Sequence, residues 1–300
     1  MSDFHPNLPR IFFSKIGNQK LRTAIWNGVD KGYGKRTPLL FFNGIGANLE
    51  IAQTFADTFT GRDIITFDMP GVGGSPDPEF IYRPWWVAKA AKQILLENGY
   101  ESVDVLGVSW GGGPAQQFAW QNKDMTHRLI LCATTTGVTM VPGNPKALSK
   151  MMSPKRYIDR DFLAKNFETL YGDAASEGVG EFSINMVPPS MKGYLYQLGA
   201  MMGWSSLPFI RRIRCKSLII MGDKDHIVPV INGRILHTFL KRSRLKIIKG
   251  AGHLFLLTRR AETVEIIRDF LGEPEVALPE VEPVLLPSVA ASYAGWQTAK

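Results

Sequence analysis

The chain has 300 residues, of which 45% are hydrophobic and 21% are charged. These proportions are ordinary for a globular protein and exclude a chain that is mainly disordered. The formal net charge is +8, but the lysines and arginines are scattered, so we do not expect nucleic-acid binding, which needs a concentrated basic surface.

The predicted elements alternate between short strands and helices. Two strands at 11–13 and 21–26 are joined by a Gly-Asn turn and are expected to form an antiparallel hairpin. Short apolar runs that suit strands buried on both faces follow at 39–42, 63–67, 102–106, 128–132, 217–221 and 245–248. Helical patterns occur at 49–59, 84–98, 113–121, 232–240 and 261–270. This alternation predicts an α/β fold with a mostly parallel central sheet and helices on both faces.

The alternation stops between residues 141 and 207. We predict that this segment, 141–207, is a helical lid inserted into a core made of residues 1–140 and 208–272. After the core, the composition shifts to Pro, Glu, Val and Ala without helical periodicity. We therefore expect residues 273–300 to form an extended or disordered tail.

The predicted lid and its entry are rich in methionine. They contain seven of the eleven methionines of the chain, together with many aromatic residues. Flexible thioether side chains favour a pocket for aliphatic chains, so we expect Met151, Met152 and Trp204 to contact substrate. Simple packing of the lid on the core explains each of these residues equally well.

A serine motif follows the strand predicted at 102–106. The sequence Gly-Val-Ser-Trp-Gly at 107–111 comes between this strand and the helix predicted at 113–121. A serine on a sharp turn from strand to helix exposes its hydroxyl, and the flanking glycines relieve crowding of the backbone. Ser109 is therefore the candidate nucleophile.

A serine hydroxyl needs a base that accepts its proton and an acid that orients the base. His253 follows the last predicted strand in a glycine-rich loop and is the candidate base. His226 competes only because it adjoins the acid loop at 222–229. Within that loop we assign the acid to Asp225 and expect Asp223 to bond nearby backbone. The chain order serine, acid, histidine is typical of hydrolases with this serine turn.

Two backbone amides are expected to bind the negative charge that develops on the substrate carbonyl oxygen. One is the amide of Trp110, directly after the serine. The other is the amide of Ile45, in the loop 43–46 that follows a predicted strand. We expect Asn43 to contact substrate or to brace this loop, although turn formation alone also explains it.

The sequence predicts neither a metal nor a cofactor. The glycine-rich segment 68–75 lacks the Lys-Ser/Thr ending of a phosphate-binding loop, so we interpret it as a tight structural turn. No histidine and cysteine cluster has the spacing of a metal site. Cys132 and Cys215 are the only cysteines, too few for a disulfide framework.

The sequence also predicts where the protein is found. No apolar run approaches the about 20 residues that a membrane-spanning helix needs, and the first residues lack the pattern of a secretory signal. We therefore expect a cytoplasmic protein without a transmembrane segment.

Six segments carry a resemblance to a known family. In the core they are 42–50, 67–75, 107–112 and 252–256, and in the predicted lid they are Val-Pro-Gly-Asn-Pro-Lys at 141–146 and Ser-Pro-Lys-Arg-Tyr at 153–157. They resemble the α/β-hydrolases and, more closely, the intracellular depolymerases of medium-chain-length polyhydroxyalkanoates. The lid segments are the more specific, because many hydrolases share the core motifs.

The resemblance implies a serine esterase whose nucleophile, acid and base are Ser109, Asp225 and His253. The implied substrate is an aliphatic polyester of 3-hydroxy acids, stored as cytoplasmic granules whose surface the protein would contact. Three alternatives stay open at this point: a small-ester or lipid esterase, a carbon–carbon bond hydrolase of the same fold, and a non-catalytic granule-binding protein.

Overall fold

The structure is a computed structural model. It describes residues 8–28, 36–56, 58–59, 61–153, 155–173 and 186–273. Eight strands in these residues form one sheet. In chain order they are β1 (Arg10–Ile16), β2 (Gln19–Trp26), β3 (Leu39–Phe42), β4 (Ile64–Phe67), β5 (Val103–Val108), β6 (Thr126–Cys132), β7 (Lys216–Gly222) and β8 (Ser243–Ile248).

The strand order across the sheet is β1-β2-β4-β3-β5-β6-β7-β8. β1 and β2 form the predicted antiparallel hairpin, and β2 also pairs antiparallel with β4. Every other neighbouring pair, from β4 to β8, is parallel. The predicted α/β fold with a mostly parallel sheet is therefore confirmed.

The described helices lie between and after these strands. They are α1 (Ile51–Ala56), α2 (Pro84–Glu97), α3 (Gly112–Gln121), α4 (Pro145–Met151), α5 (Lys155–Ile158), α6 (Arg160–Tyr171), α7 (Met191–Ala200), α8 (Val230–Phe239), α9 (Phe255–Thr258) and α10 (Arg260–Leu271). Side chains at Asn144, Asp159 and Ser190 accept backbone N–H groups at the starts of α4, α6 and α7. These caps satisfy donors that have no partner inside a helix.

The apolar core has two layers, one on each face of the sheet. Successive residues of a strand point to opposite faces, so Leu40 and Phe42 of β3 join the layer beneath α2 and α3. Leu39 and Phe41 join the layer beneath α1 and α10. All four residues of β3 are buried, which is why this strand is apolar at every position.

α1 is shorter than the helix predicted at 49–59. It begins at Ile51 and ends at Ala56. The N–H of Leu49 donates to the carboxylate of Asp68 at 2.7 Å. This contact ties the turn before α1 to the loop after β4 and satisfies that donor outside the helix.

Between β6 and β7 the described residues form α4 to α7 and no strand. We call residues 141–207 the insertion. The segment just before the insertion meets its last residues at an isolated bridge between Gly137 and Ser205, where the N–H of Val138 donates to the carbonyl oxygen of Trp204 at 2.8 Å.

The predicted tail, 273–300, lies outside the described residues except for Glu273. The carboxylate of Glu273 is 2.8 Å from Nε of Arg62. In the part of the chain that is described, no helix combines the length and hydrophobicity needed to cross a membrane.

Candidate active site

Parallel pairing brings the functional loops to one edge of the sheet. Phe42, at the end of β3, lies opposite Gly107 of β5. Gly222, at the end of β7, lies opposite Ile248 of β8. The four loops that follow these strands therefore leave the sheet side by side, at the edge where α/β folds bind ligands.

The serine turn is tight. The φ angle of Ser109 is +54°, a value that residues other than glycine rarely adopt. β5 ends at Val108 and α3 begins at Gly112, so the chain changes direction at the serine. A Cβ atom at Gly111 would lie 2.2 Å from the carbonyl oxygen of Phe42. Only glycine therefore fits where the turn passes β3.

Ser109, His253 and Asp225 are brought together by these loops. Nε2 of His253 is 2.9 Å from Oγ of Ser109, and Nδ1 of His253 is 2.7 Å from Oδ2 of Asp225. The other carboxylate oxygen, Oδ1, accepts the N–H groups of Ile227 and Val228, each at 2.8 Å. These amides fix the carboxylate so that one oxygen is left for the imidazole.

The competing acid and base have other contacts. Oδ1 of Asp223 accepts the N–H of Gly250 at 2.7 Å, which is the turn-shaping bond expected from the sequence. Nδ1 of His226 is 3.2 Å from the carbonyl oxygen of Thr169 in the insertion. Asp223 and His226 therefore have roles in loop structure.

The insertion holds the loop that carries the histidine. Asp173 is buried, and its carboxylate accepts the N–H groups of Gly252 at 2.8 Å and Leu254 at 3.0 Å. Between them, the N–H of His253 donates to the carbonyl oxygen of Tyr171 at 2.6 Å. Three consecutive amides are thus held by residues at the end of α6 and just after it. No sequence pattern pointed to this role of Asp173.

The loop 43–46 lies directly against the serine turn. A Cβ atom at Gly44 would be 3.7 Å from Cβ of Ser109. Asn43 braces this loop, because its Nδ2 donates to the carbonyl oxygen of Asn48 at 3.3 Å. The side chain of Asn48 in turn donates to Glu50 at 2.6 Å.

Gln197 of α7 connects the two positions at which oxyanion amides are predicted. Its Oε1 accepts the N–H of Gly46 at 2.8 Å, and its carbonyl oxygen accepts the indole N–H of Trp110 at 2.8 Å. The hydroxyl of Tyr157 donates to the carbonyl oxygen of Ile45 at 2.7 Å. Two residues of the insertion thus contact both segments, and no role for either was predicted from the sequence.

The serine and the histidine open into a pocket whose wall is mainly apolar. Its apolar lining residues are Phe41, Ile45, Ala47, Ile51, Phe55, Val108, Met151, Met186, Leu254, Leu256 and Leu257. Its polar and charged side chains are Asn43, Ser109, Arg156, Tyr171, His253 and Arg260.

The structure brings Asn43 and Met151 to the pocket wall but not Met152 or Trp204. Met152 follows the last residue of α4 and is 69% exposed. The indole N–H of Trp204 donates to Gln117 of α3 at 2.8 Å, so this ring packs at the base of the insertion. Met152 and Trp204 therefore lie outside the wall of the pocket that contains Ser109, whereas the sequence predicted that both contact substrate.

The geometry supports one kind of chemistry. The imidazole can accept the proton of Ser109 while the carboxylate of Asp225 stabilises the resulting cation. Within the described residues, no group of three or more His, Cys, Asp and Glu side chains could hold a metal ion. A serine, a histidine and an aspartate in this arrangement can carry out acyl transfer through the serine.

Known proteins are similar to this chain in sequence and in fold. A family model described as the alpha/beta hydrolase fold matches residues 37–259. The poly(3-hydroxyalkanoate) depolymerase of Ectopseudomonas oleovorans is 40% identical over 270 residues, which cover 88% of this chain and 94% of the relative. The 2-hydroxymuconate semialdehyde hydrolase of Pseudomonas sp. strain CF600 is 25% identical over 285 residues, which cover 88% and 96%. An esterase structure from Exiguobacterium antarcticum matches with a TM-score of 0.73 at 20% identity and covers 87% and 99%.

Proposed function

The chain belongs to the α/β-hydrolase fold family, and we propose that it is a serine esterase that hydrolyses aliphatic polyesters of medium-chain 3-hydroxy acids. The distance of 2.9 Å between Ser109 Oγ and His253 Nε2 carries this proposal, because it gives the hydroxyl a base. The 40% identity to a poly(3-hydroxyalkanoate) depolymerase supports the substrate class. We place the reaction in the cytoplasm, on polyester storage granules.

The reaction has two steps. As the Ser109 oxygen attacks an ester carbonyl carbon, His253 accepts the serine proton and Asp225 stabilises the imidazolium. The ester C–O bond then breaks, and His253 returns the proton to the leaving alcohol oxygen. The amides of Ile45 and Trp110 bind the oxyanion in this proposal. Water, activated by His253, hydrolyses the acyl-enzyme and restores the serine.

The insertion acts as the lid of the site in this proposal. Gln197 and Tyr157 form hydrogen bonds with the loop 43–46, and Met151 and Met186 contribute to the pocket wall. An apolar wall that includes flexible methionines suits an alkyl side chain of medium length. These contacts support residues 141–207 as a separate lid on the core.

The substrate class is tested with purified protein and two polymers. We expect 3-hydroxy acids to be released from granules of a medium-chain polyhydroxyalkanoate, measured by mass spectrometry, and much less from poly(3-hydroxybutyrate). The Ser109→Ala variant on the same granules is the matched control. Turnover of soluble esters without acid release from either polymer would instead identify a small-ester esterase.

Exposed apolar side chains on the insertion support contact with a granule. Met191 and Leu195 lie one turn apart on α7, and Met202 follows that helix; all three are exposed. The start of α2 adjoins them, because the guanidinium of Arg83 donates to the carbonyl oxygen of Met202. We call Met191, Leu195 and Met202 the insertion patch.

Replacing all three residues of the insertion patch with serine is expected to weaken granule binding about tenfold or more, because apolar area would no longer leave water on contact. Co-sedimentation with granules measures the binding, and turnover of a soluble p-nitrophenyl ester should stay near that of the parent protein. Leu96→Ser is the control, since Leu96 is exposed near the far end of α2, about 20 Å from its start. Unchanged binding of the triple variant would contradict a role for this patch.

A further inference from the structure

Arg156 is a buried cation in the wall of the active-site pocket. It is 3% exposed and lines the same pocket as Ser109 and His253. Within the described residues, no carboxylate forms an ion pair with it. Its guanidinium instead contacts the hydroxyls of three tyrosines, which are Tyr157, Tyr171 and Tyr194.

The tyrosine hydroxyls only partly satisfy this guanidinium. The hydroxyl proton of Tyr157 is donated to the carbonyl oxygen of Ile45, and that of Tyr194 to the carbonyl oxygen of Met151, each at 2.7 Å. Their oxygen lone pairs are therefore available to Arg156. The Nε–H of Arg156 is buried and has no hydrogen-bond partner, so one N–H donor of the guanidinium is unused.

Arg156 is charged in this position. Burial lowers the pKa of its guanidinium, but the three tyrosines raise it, and the pKa stays above its ordinary value. The tyrosine oxygens offset part of the hydration that the buried guanidinium loses, and a well-placed anion would stabilise the charge further. A ligand that brings a carboxylate into the pocket would supply that anion.

The pocket has no acidic residue of its own among its described lining. Its charged side chains are Arg156 and Arg260, set in the apolar wall. Such a surface is complementary to an alkyl chain that ends in, or lies beside, a carboxylate.

We propose that Arg156 binds the free carboxylate at the end of a polyester chain, so that the enzyme removes 3-hydroxy acids from the carboxyl end. This inference rests on the proposed function. In the terminal unit, the oxygen of the scissile ester is attached to C3 and the carboxylate is C1. Only C2 separates these two carbons, so one pocket can hold the carboxylate and the ester bond.

The proposed cycle regenerates its own recognition element. Ser109 attacks the carbonyl carbon of the penultimate unit, and the C–O bond to the terminal unit breaks. The terminal unit leaves as a 3-hydroxy acid, with its hydroxyl proton supplied by His253. Water then hydrolyses the acyl-enzyme and gives the shortened chain a new carboxylate end, which Arg156 can bind in the next cycle.

The test compares the linear dimer of 3-hydroxyoctanoic acid as the free acid and as its methyl ester. At about pH 8 the acid is ionised, and we expect its kcat/KM to exceed that of the methyl ester about thirtyfold or more. In Arg156→Gln this ratio should fall close to one. Lys150→Gln, which removes a cation of the insertion outside the pocket lining, should keep the ratio of the parent protein.

A measurement on the parent protein alone covers the case in which Arg156→Gln does not fold. Octanoate should inhibit turnover of p-nitrophenyl octanoate about thirtyfold more strongly than octanamide, which has the same shape without the charge. Equal turnover of the two dimer forms, or equal inhibition by the two octanoyl compounds, would overturn the carboxylate site and leave the proposed function standing. Absence of turnover of both dimers and of granules, with p-nitrophenyl octanoate still hydrolysed, would overturn the proposed function itself.

Discussion

Replacing Ser109 with alanine is expected to lower kcat for p-nitrophenyl octanoate at least about 10⁴-fold. The change removes the oxygen that would form the acyl-enzyme and leaves the His253 and Asp225 pair without a proton to accept. The pocket wall keeps its residues, so substrate binding should change little. Steady-state kinetics measure the loss, and a fluorophosphonate should add no mass to the variant.

Ser149→Ala is the matched control for this experiment. Ser149 is exposed on α4 and donates to the carbonyl oxygen of Lys146, so it offers a hydroxyl without a base. This variant should keep the rate of the parent protein within about twofold and take one fluorophosphonate label. A Ser109→Ala protein that retained a rate within about tenfold of the parent would remove Ser109 from its proposed role.

The parallel part of the sheet could be predicted because a strand that is buried on both faces is apolar at every residue. A run such as 39–42 is apolar at every residue, and the structure has a strand with these bounds. The resemblance to α/β-hydrolases is confirmed by the family model that matches 37–259 and by the relative at 40% identity.

The three side chains of the candidate site could be predicted for the same reason. Each follows a predicted strand, and the carboxyl ends of parallel strands meet at one edge. The pairing of β7 with β8 sets the loops that follow them side by side, since Gly222 lies opposite Ile248. Asp225 is therefore next to His253. No knowledge of the insertion was needed for this step.

The contributions of the insertion could not be predicted in this way. Gln197 accepts the N–H of Gly46 across 151 residues of sequence, and Asp173 accepts that of Gly252 across 79. A polar residue in or after a helix usually faces solvent, so no local pattern distinguishes these two. Their roles depend on how α6 and α7 pack on the core, which is a tertiary property.

Side-chain direction explains why one methionine lines the pocket and its neighbour does not. Consecutive residues of a helix point about 100° apart, since 3.6 residues complete a turn. At the end of α4, Met151 lines the pocket, whereas Met152 is exposed. The composition indicated an apolar lid but carried no information on which side of α4 faces the pocket.

Replacing Asp225 with asparagine is expected to lower kcat about 10³- to 10⁴-fold with little change in stability. The N–H groups of Ile227 and Val228 point at one oxygen of the side chain, so they hold the amide oxygen of the asparagine at that place. Its NH₂ group then faces Nδ1 of His253. An imidazole that accepts this bond at Nδ1 carries its proton on Nε2 and cannot take the proton of Ser109.

Asp223→Asn is the control that separates this argument from a general effect of charge. It removes the same charge from the same loop, but Asp223 contacts the N–H of Gly250, and an asparagine oxygen can accept that bond. We therefore expect its kcat to stay within about threefold of that of the parent protein. A large loss in Asp223→Asn with a small one in Asp225→Asn would transfer the role of the acid to Asp223. Equal losses would mean that the structure of the loop limits the rate and not the tautomer of His253. Only Asp225 contacts the imidazole, so a tautomer effect would appear in Asp225→Asn alone.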